Sequence, residues 1–134
     1  MNREIVLDTE TTGLSAIAGD RLVEIGCVEL INHIPTGRNY HVYLNPQRSM
    51  PEEAFRVHGL SEEFLADKPL FASIADEFRA FLGEAQLVIH NAPFDMGFLN
   101  FELEKAGQGQ LRNKVIDTVM LAREKHPGAR VSLD

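Results

Sequence analysis

Asp8 and Glu10 stand two residues apart at the end of an unbroken apolar run, Ile5-Val6-Leu7. In an extended strand, a spacing of two puts both carboxylates on one face. Two acids held side by side at the end of a buried strand repel each other unless a cation lies between them. Hard oxygen ligands of this kind suit Mg²⁺ or Mn²⁺. A bare pair of this sort is more often two solvated acids beside a loop. Here Thr9, Thr11 and Thr12 add hydroxyls, and Gly13 lets the backbone turn tightly or approach a ligand closely.

The elements that must position these groups can be read from the hydrophobic period. The first strand runs from Ile5 to about Thr11, and a second from Arg21 to Leu30, mostly apolar with Glu24 and Glu29 interspersed. Asn32 to Gly37, with Pro35 and Gly37, reads as a turn, and Asn39 to Leu44 alternates as a half-exposed strand should. Short helical turns, Pro51–Val57 and Ser61–Ala66, flank His58-Gly59, with Ser61 as an N-cap. Ile74, Phe78, Phe81 and Leu82 fall on one face of a helix from Phe71 to Leu82. A strand from Gln86 to His90 follows, then a helix opened by Pro93 and stopped at Gly107. The Phe94, Phe98, Phe101 stripe on that helix reads as core. Lys114–Ile116 is a fifth strand, and Asp117 caps a helix to about Lys125, ended by His126-Pro127-Gly128. Ser132-Leu133-Asp134 begins another. The order predicts an α/β domain whose five-stranded mixed sheet has three antiparallel strands followed by two parallel ones.

The chain has 134 residues, the size of one domain, with 44% hydrophobic and 25% charged residues. That excludes a disordered tail, a collagen-like chain and a coiled coil. No apolar run approaches the length of a membrane span or a secretory signal. The single cysteine, Cys27, permits no internal disulfide and no cysteine metal cluster; in a buried strand it is a packing residue, and a reducing cytoplasm fits. Thirteen basic against 20 acidic side chains give a formal charge of −7. Tight sequence-independent DNA binding rests on Lys and Arg, so a chain this acidic would need a metal to supply positive charge.

The string Ile5-Val6-Leu7-Asp8-Thr9-Glu10-Thr11-Thr12-Gly13-Leu14 resembles the first motif of the DEDD family of 3′→5′ exonucleases, which have a ribonuclease H-like fold. Val88-Ile89-His90-Asn91-Ala92-Pro93-Phe94-Asp95 resembles the second, with Asp95 as the third acid. Further stretches are similar to the proofreading branch of that family, the epsilon subunits of bacterial replicases. They are His41-Val42-Tyr43-Leu44, Ala54 to Leu60, Ile116-Asp117-Thr118, Leu121-Ala122-Arg123, Pro127-Gly128 and Ser132-Leu133-Asp134. The resemblance implies that Asp8, Glu10 and Asp95 are catalytic and ligate two divalent ions, Mg²⁺ or Mn²⁺. It implies that Glu53 and His58 help hold the terminal nucleotide, and that Thr9 and Thr11 face its sugar beside Asp8 and Glu10. It implies as partners the 3′ end of single-stranded DNA, the polymerase catalytic subunit and a small accessory subunit. Asp95 would lie in a first helical turn, whose partial positive charge favours an ionised carboxylate. It would face Asp8 and Glu10 if the Gln86–His90 strand lies beside the first. His90 reads as a structural strand-end residue.

The branch is also marked by a His with an Asp five residues on, in a C-terminal helix, serving as general base and fourth acid. Five residues after His33, His41, His58 and His126 stand Arg38, Pro46, Glu63 and Val131; only His90 has its Asp, and that is Asp95. The expectation is therefore a single exonuclease domain over 1–134, incomplete at its C-terminus, with three of four acids, no identifiable base and slow turnover. The uncovered sheet would leave apolar area exposed. Two alternatives stand beside it: an inactive metal-binding module that docks replication partners, and a stand-alone exonuclease acting on RNA or short oligonucleotides.

Overall fold

The computed structural model describes residues 2–125. Five strands and five helices alternate as β1 (Arg3–Thr11), β2 (Leu22–Ile31), β3 (Ile34–Tyr43), α1 (Glu52–His58), α2 (Glu62–Leu65), α3 (Phe71–Leu82), β4 (Gln86–Ile89), α4 (Ala92–Lys105), β5 (Val115–Asp117) and α5 (Thr118–Lys125). They form one sheet in the order β3-β2-β1-β4-β5. The pairs β1–β2 and β2–β3 are antiparallel, and β1–β4 and β4–β5 are parallel, as the order of elements predicts. The expected end of α5 at His126-Pro127-Gly128 and the start of a helix at Ser132 lie outside the described residues.

The hairpin differs from the sequence reading. Its turn is only Asn32 and His33, with φ of 50° and 69°, and β3 starts at once at Ile34. Two successive positive φ values match the right-handed twist of the flanking strands, so the ladder closes immediately, Ile31 facing Ile34 and Leu30 facing Pro35. Pro35 and Gly37 thus lie in β3, which tolerates them because it is the sheet's edge.

One face of the sheet carries Ile5, Leu7, Ile25, Cys27, Leu87 and Ile89 against the apolar sides of α3 and α4. Phe78 is fully buried there and contacts Tyr40 and Phe71; a ring so placed contributes about 1.5–3 kcal/mol by leaving water. Burial pushes the Cys27 thiol up to about 12, in keeping with packing rather than reactivity. Of the phenylalanine stripe, Phe98 is core and Phe94 is half-buried but packs against the core and the Phe98 ring, whereas Phe101 is half-buried beside a surface groove. On the opposite face Val6 and Val28, partners across β1 and β2, are 40% and 39% exposed.

Candidate active site

β1 delivers the acids. Its alternation turns Thr9 toward the core and leaves Asp8 exposed and Glu10 half-buried on the other face. β4 pairs with β1 only from Glu4 to Val6, so beyond Leu7 the strand has no neighbour on that side. The chain leaves β4 through Asn91, in the left-handed region at φ 62°, and starts α4 with Pro93 in its first turn. That turn brings Asp95, 6% exposed, to the carboxyl end of β1.

The three carboxylates sense each other. Asp95 is pushed up to about 7, first by burial and then by Asp8, with a smaller push from Glu10. Thr9 offsets part of the rise through its hydroxyl and backbone, although no hydrogen bond of good geometry joins them and Thr9 Oγ1 is buried without a partner. Burial, Asp8 and then Glu24 raise Glu10. The positive end of α4 was expected to keep Asp95 ionised. Burial beside two like charges outweighs it, because a helix end supplies only about half a charge.

Three hard-oxygen acids in mutual repulsion, with an unsatisfied hydroxyl among them, suit a divalent cation by their chemistry. Among the described residues no three His, Cys, Asp or Glu side chains stand close enough to enclose one. Asp8 and Glu10 are nonetheless near enough to raise Asp95, and Asp8 to raise Glu10.

Beside the acids opens a groove of about 600 Å³ lined by Thr9, Glu10, Thr11, Gly13, Leu14, Glu53, Val57, His58 and Phe94 among others. Every residue assigned to the terminal nucleotide therefore faces it, apart from Asp8. Glu53 projects from α1, which Gly59 ends at φ 72°. The His58 ring has a defined tautomer. Its Nδ1 accepts the Leu60 amide at 3.0 Å, so the proton of the neutral ring sits on Nε2, which is buried toward Thr11 without a well-formed hydrogen bond. Burial lowers its pKa, so at neutral pH His58 is an uncharged donor whose lone pair is already taken. His90 is tied to Thr118 Oγ1 through Nδ1 at 2.9 Å, a strand-end role as expected. Neither ring is free to act as a base through Nδ1.

Several residues that shape the site carry no local motif. Glu24 lies opposite Glu10 in the β1–β2 ladder and pairs with His41 Nε2 at 2.6 Å. Its register was readable only once the hairpin was fixed. Asp20 accepts from Thr12 Oγ1, Arg48 Nη1 and the Ser15 amide. Glu102, 3% exposed, pairs with Arg21 and ties the loop after β1 to α4. Its signal was available: position 102 is four after core Phe98 and three after core Leu99, and a carboxylate on a buried helix face needs a partner. Asp117 Oδ1 accepts from both the Val119 and the Asn91 amides, so the expected cap of α5 also holds the turn before α4.

Residues 5–134 match the family model described as an exonuclease, RNase_T. The DNA polymerase III subunit epsilon of Rickettsia felis is 52% identical over 136 residues, covering 98% of this chain and 59% of that protein. The subunit of the same name from Escherichia coli K12 is 48% identical, covering the whole chain and 58% of its own length. The chain thus spans somewhat over half the length of these relatives. Among solved structures, exonuclease X in complex with 5′-overhanging duplex DNA superposes with a TM-score of 0.74 at 28% identity, over 96% of this chain and 68% of that one. Exonuclease I shares the fold, with a TM-score of 0.82 at 16% identity over 92% of this chain and 30% of its own.

Proposed function

The chain belongs to the exonuclease family, and from that premise we propose that it is a metal-dependent 3′→5′ exonuclease of the proofreading kind. It would hydrolyse the 3′-terminal phosphodiester of single-stranded DNA and release nucleoside monophosphates. The observation that most supports this is the meeting of Asp8, Glu10 and Asp95 at the carboxyl end of β1, beside a groove with room for a nucleotide. Close similarity to relatives named as epsilon subunits favours DNA over RNA and a replicase over a stand-alone enzyme. By the same similarity the partners would be the polymerase catalytic subunit and a small accessory subunit.

Asp8, Glu10 and Asp95 would hold Mg²⁺ or Mn²⁺. Bound there, such ions supply a water acidic enough to attack at neutral pH and a counter-charge for the leaving oxygen. The chain's own groups bind and orient. Thr9, Thr11 and Glu53 line the groove; Thr9 and Thr11 would face the terminal sugar and Glu53 would offer its carboxylate to a terminal hydroxyl. His58 lines the groove with its ring fixed through the Leu60 amide, and would hold the terminal nucleotide by packing against it. Asp95, pushed up to about 7 by burial and Asp8, would be ionised as a ligand of such a cation.

The test is turnover of a labelled single-stranded oligonucleotide in Mn²⁺. Residues 1–134 by themselves should act slowly, because a missing general base costs about 10²–10⁴-fold. Joining the C-terminal part of an epsilon relative should raise the rate, and the same extension with its base histidine replaced by Ala should not. Equal rates for the bare and extended chains would place a base within these residues. No turnover by either, with metal bound, would favour the docking-module reading.

A further inference from the structure

On the sheet face away from α3 and α4, two rows of residues cross β1, β2 and β3. Asp8, Gly26 and His41 form one row, and Glu10, Glu24 and Tyr43 the next. Side chains directly opposite each other in a ladder share a face, and like charges so placed destabilise the pair. Glu24 is such a charge opposite Glu10, so its presence calls for a reason other than sheet stability. The two carboxylates go to different places. Glu10 lines the groove, and Glu24 does not. Glu24 Oε2 instead accepts from His41 Nε2 at 2.6 Å, which draws it toward β3. His41 is itself held. Its ring meets Tyr43 edge-to-face, with 4.7 Å between centroids, and stands beside Gly26, where no side chain competes for the space.

We propose that Glu24 is a positioning residue for Glu10, with His41 as its anchor: a fixed carboxylate across the ladder that keeps the Glu10 carboxylate turned into the groove, ready for a divalent cation. The inference rests on the metal-dependent exonuclease reading. A carboxylate that faces a fixed negative charge turns away from it, and Glu10 turns into the groove. Burial and Asp8 raise the Glu10 pKa, and Glu24 adds a smaller push, so its charge is felt there. Glu24 acts through Glu10 and is not a ligand, because His41 holds its oxygen on the β3 side. Without that hold the side chain would be free to swing into solvent, and its influence on Glu10 would be lost.

The test is Mn²⁺ binding without DNA, read from the electron paramagnetic resonance signal of the free ion, together with the melting temperature in chelator. Glu24→Gln keeps the shape and an acceptor for His41, but removes the charge and offers Glu10 a donor that draws it back toward β2. It should weaken Mn²⁺ binding roughly two- to fivefold, the size of one cross-strand charge pair, and leave the metal-free melting temperature unchanged or higher. Glu24→Asp, which keeps a charge opposite Glu10, should lose less than about twofold. His41→Leu should weaken binding as Glu24→Gln does, with no further loss when the two are combined. Unchanged Mn²⁺ affinity in Glu24→Gln, with or without a lower metal-free melting temperature, would make Glu24 a merely structural residue and overturn the proposal. Tighter binding in His41→Leu would make Glu24 a ligand held in reserve and overturn it equally. No Mn²⁺ binding by the unaltered chain would instead overturn the metal reading, and the proposal with it.

Discussion

Arg21 and Glu102, 81 positions apart, meet through two parallel hydrogen bonds, Nε to Oε2 and Nη2 to Oε1, each 2.7 Å. The guanidinium fork matches the carboxylate, and the bond to Glu102 raises the Arg21 pKa further. Because Glu102 is buried, its charge depends on this one partner. Arg21→Ala should therefore cost about 3–5 kcal/mol, the penalty of stranding a buried charge. Arg21→Met with Glu102→Leu should recover most of that loss. Urea melts of the three variants decide it, and a single-variant cost under about 1 kcal/mol would mean that water reaches Glu102 easily.

Asp95 makes stability depend on pH in a direction unusual for a carboxylate. Its folded pKa of about 7 lies above the ordinary 3.8, so in that interval the folded state holds a proton that the unfolded state has released. Its stabilising contribution is complete below about pH 4 and is lost as pH rises through 7. Melting temperature in chelator should accordingly fall from pH 5.5 to pH 8. Asp95→Asn should flatten the fall. An unchanged slope in that variant would assign the effect elsewhere.

A cation should act on the same repulsion. Millimolar Mn²⁺ should raise the melting temperature at pH 8 by several degrees, through its preference for the folded state. Asp8→Asn should shrink that gain and can stabilise the metal-free protein by removing a charge that pushes on Asp95 and Glu10. Coincident melts with and without Mn²⁺ would show that these acids hold no ion.

Gly13 is required by its neighbour rather than by its dihedral angles. A β-carbon there would collide with the Asp20 carboxylate, and Asp20 is held by Thr12, Ser15 and Arg48. Gly13→Ala should cost about 1–3 kcal/mol as the carboxylate is displaced. Adding Asp20→Ser should return part of it, since the shorter side chain clears the clash. Thermal melts of the single and double variants measure the difference.

Much of this was legible in the sequence where a period or a motif spoke for itself. The strand carrying Asp8 and Glu10, the helix from Phe71 to Leu82, the Ser61 cap and the parallel placement of the Gln86 strand all follow from local pattern. The start of β3 did not, because Pro35 and Gly37 suggest a turn unless the sheet edge is already known. The protonation of Asp95 did not, because burial depends on how α4 meets β1, which no spacing reveals. Glu24 and Glu102 were visible as residues but not as parts of the site, since the partners that define them lie across a ladder or on another element. Phe94 and Phe101 follow the core period of α4 yet sit where the loop after β1 leaves the helix partly bare.

Asp117 ends β5 and with one oxygen holds the Asn91 amide at 3.1 Å and the Val119 amide at 3.0 Å. The first bond fixes the bend that launches α4, and with it Asp95; the second fixes the start of α5. One carboxylate thus belongs to two helices, and neither can shift its first turn without loosening the grip on the other. In thermodynamic terms, this shared oxygen links the seating of α5 to the placement of Asp95. If the acid cluster holds a cation as proposed, whatever anchors α5 should raise its affinity for that cation, and the cation should steady α5 by the same factor.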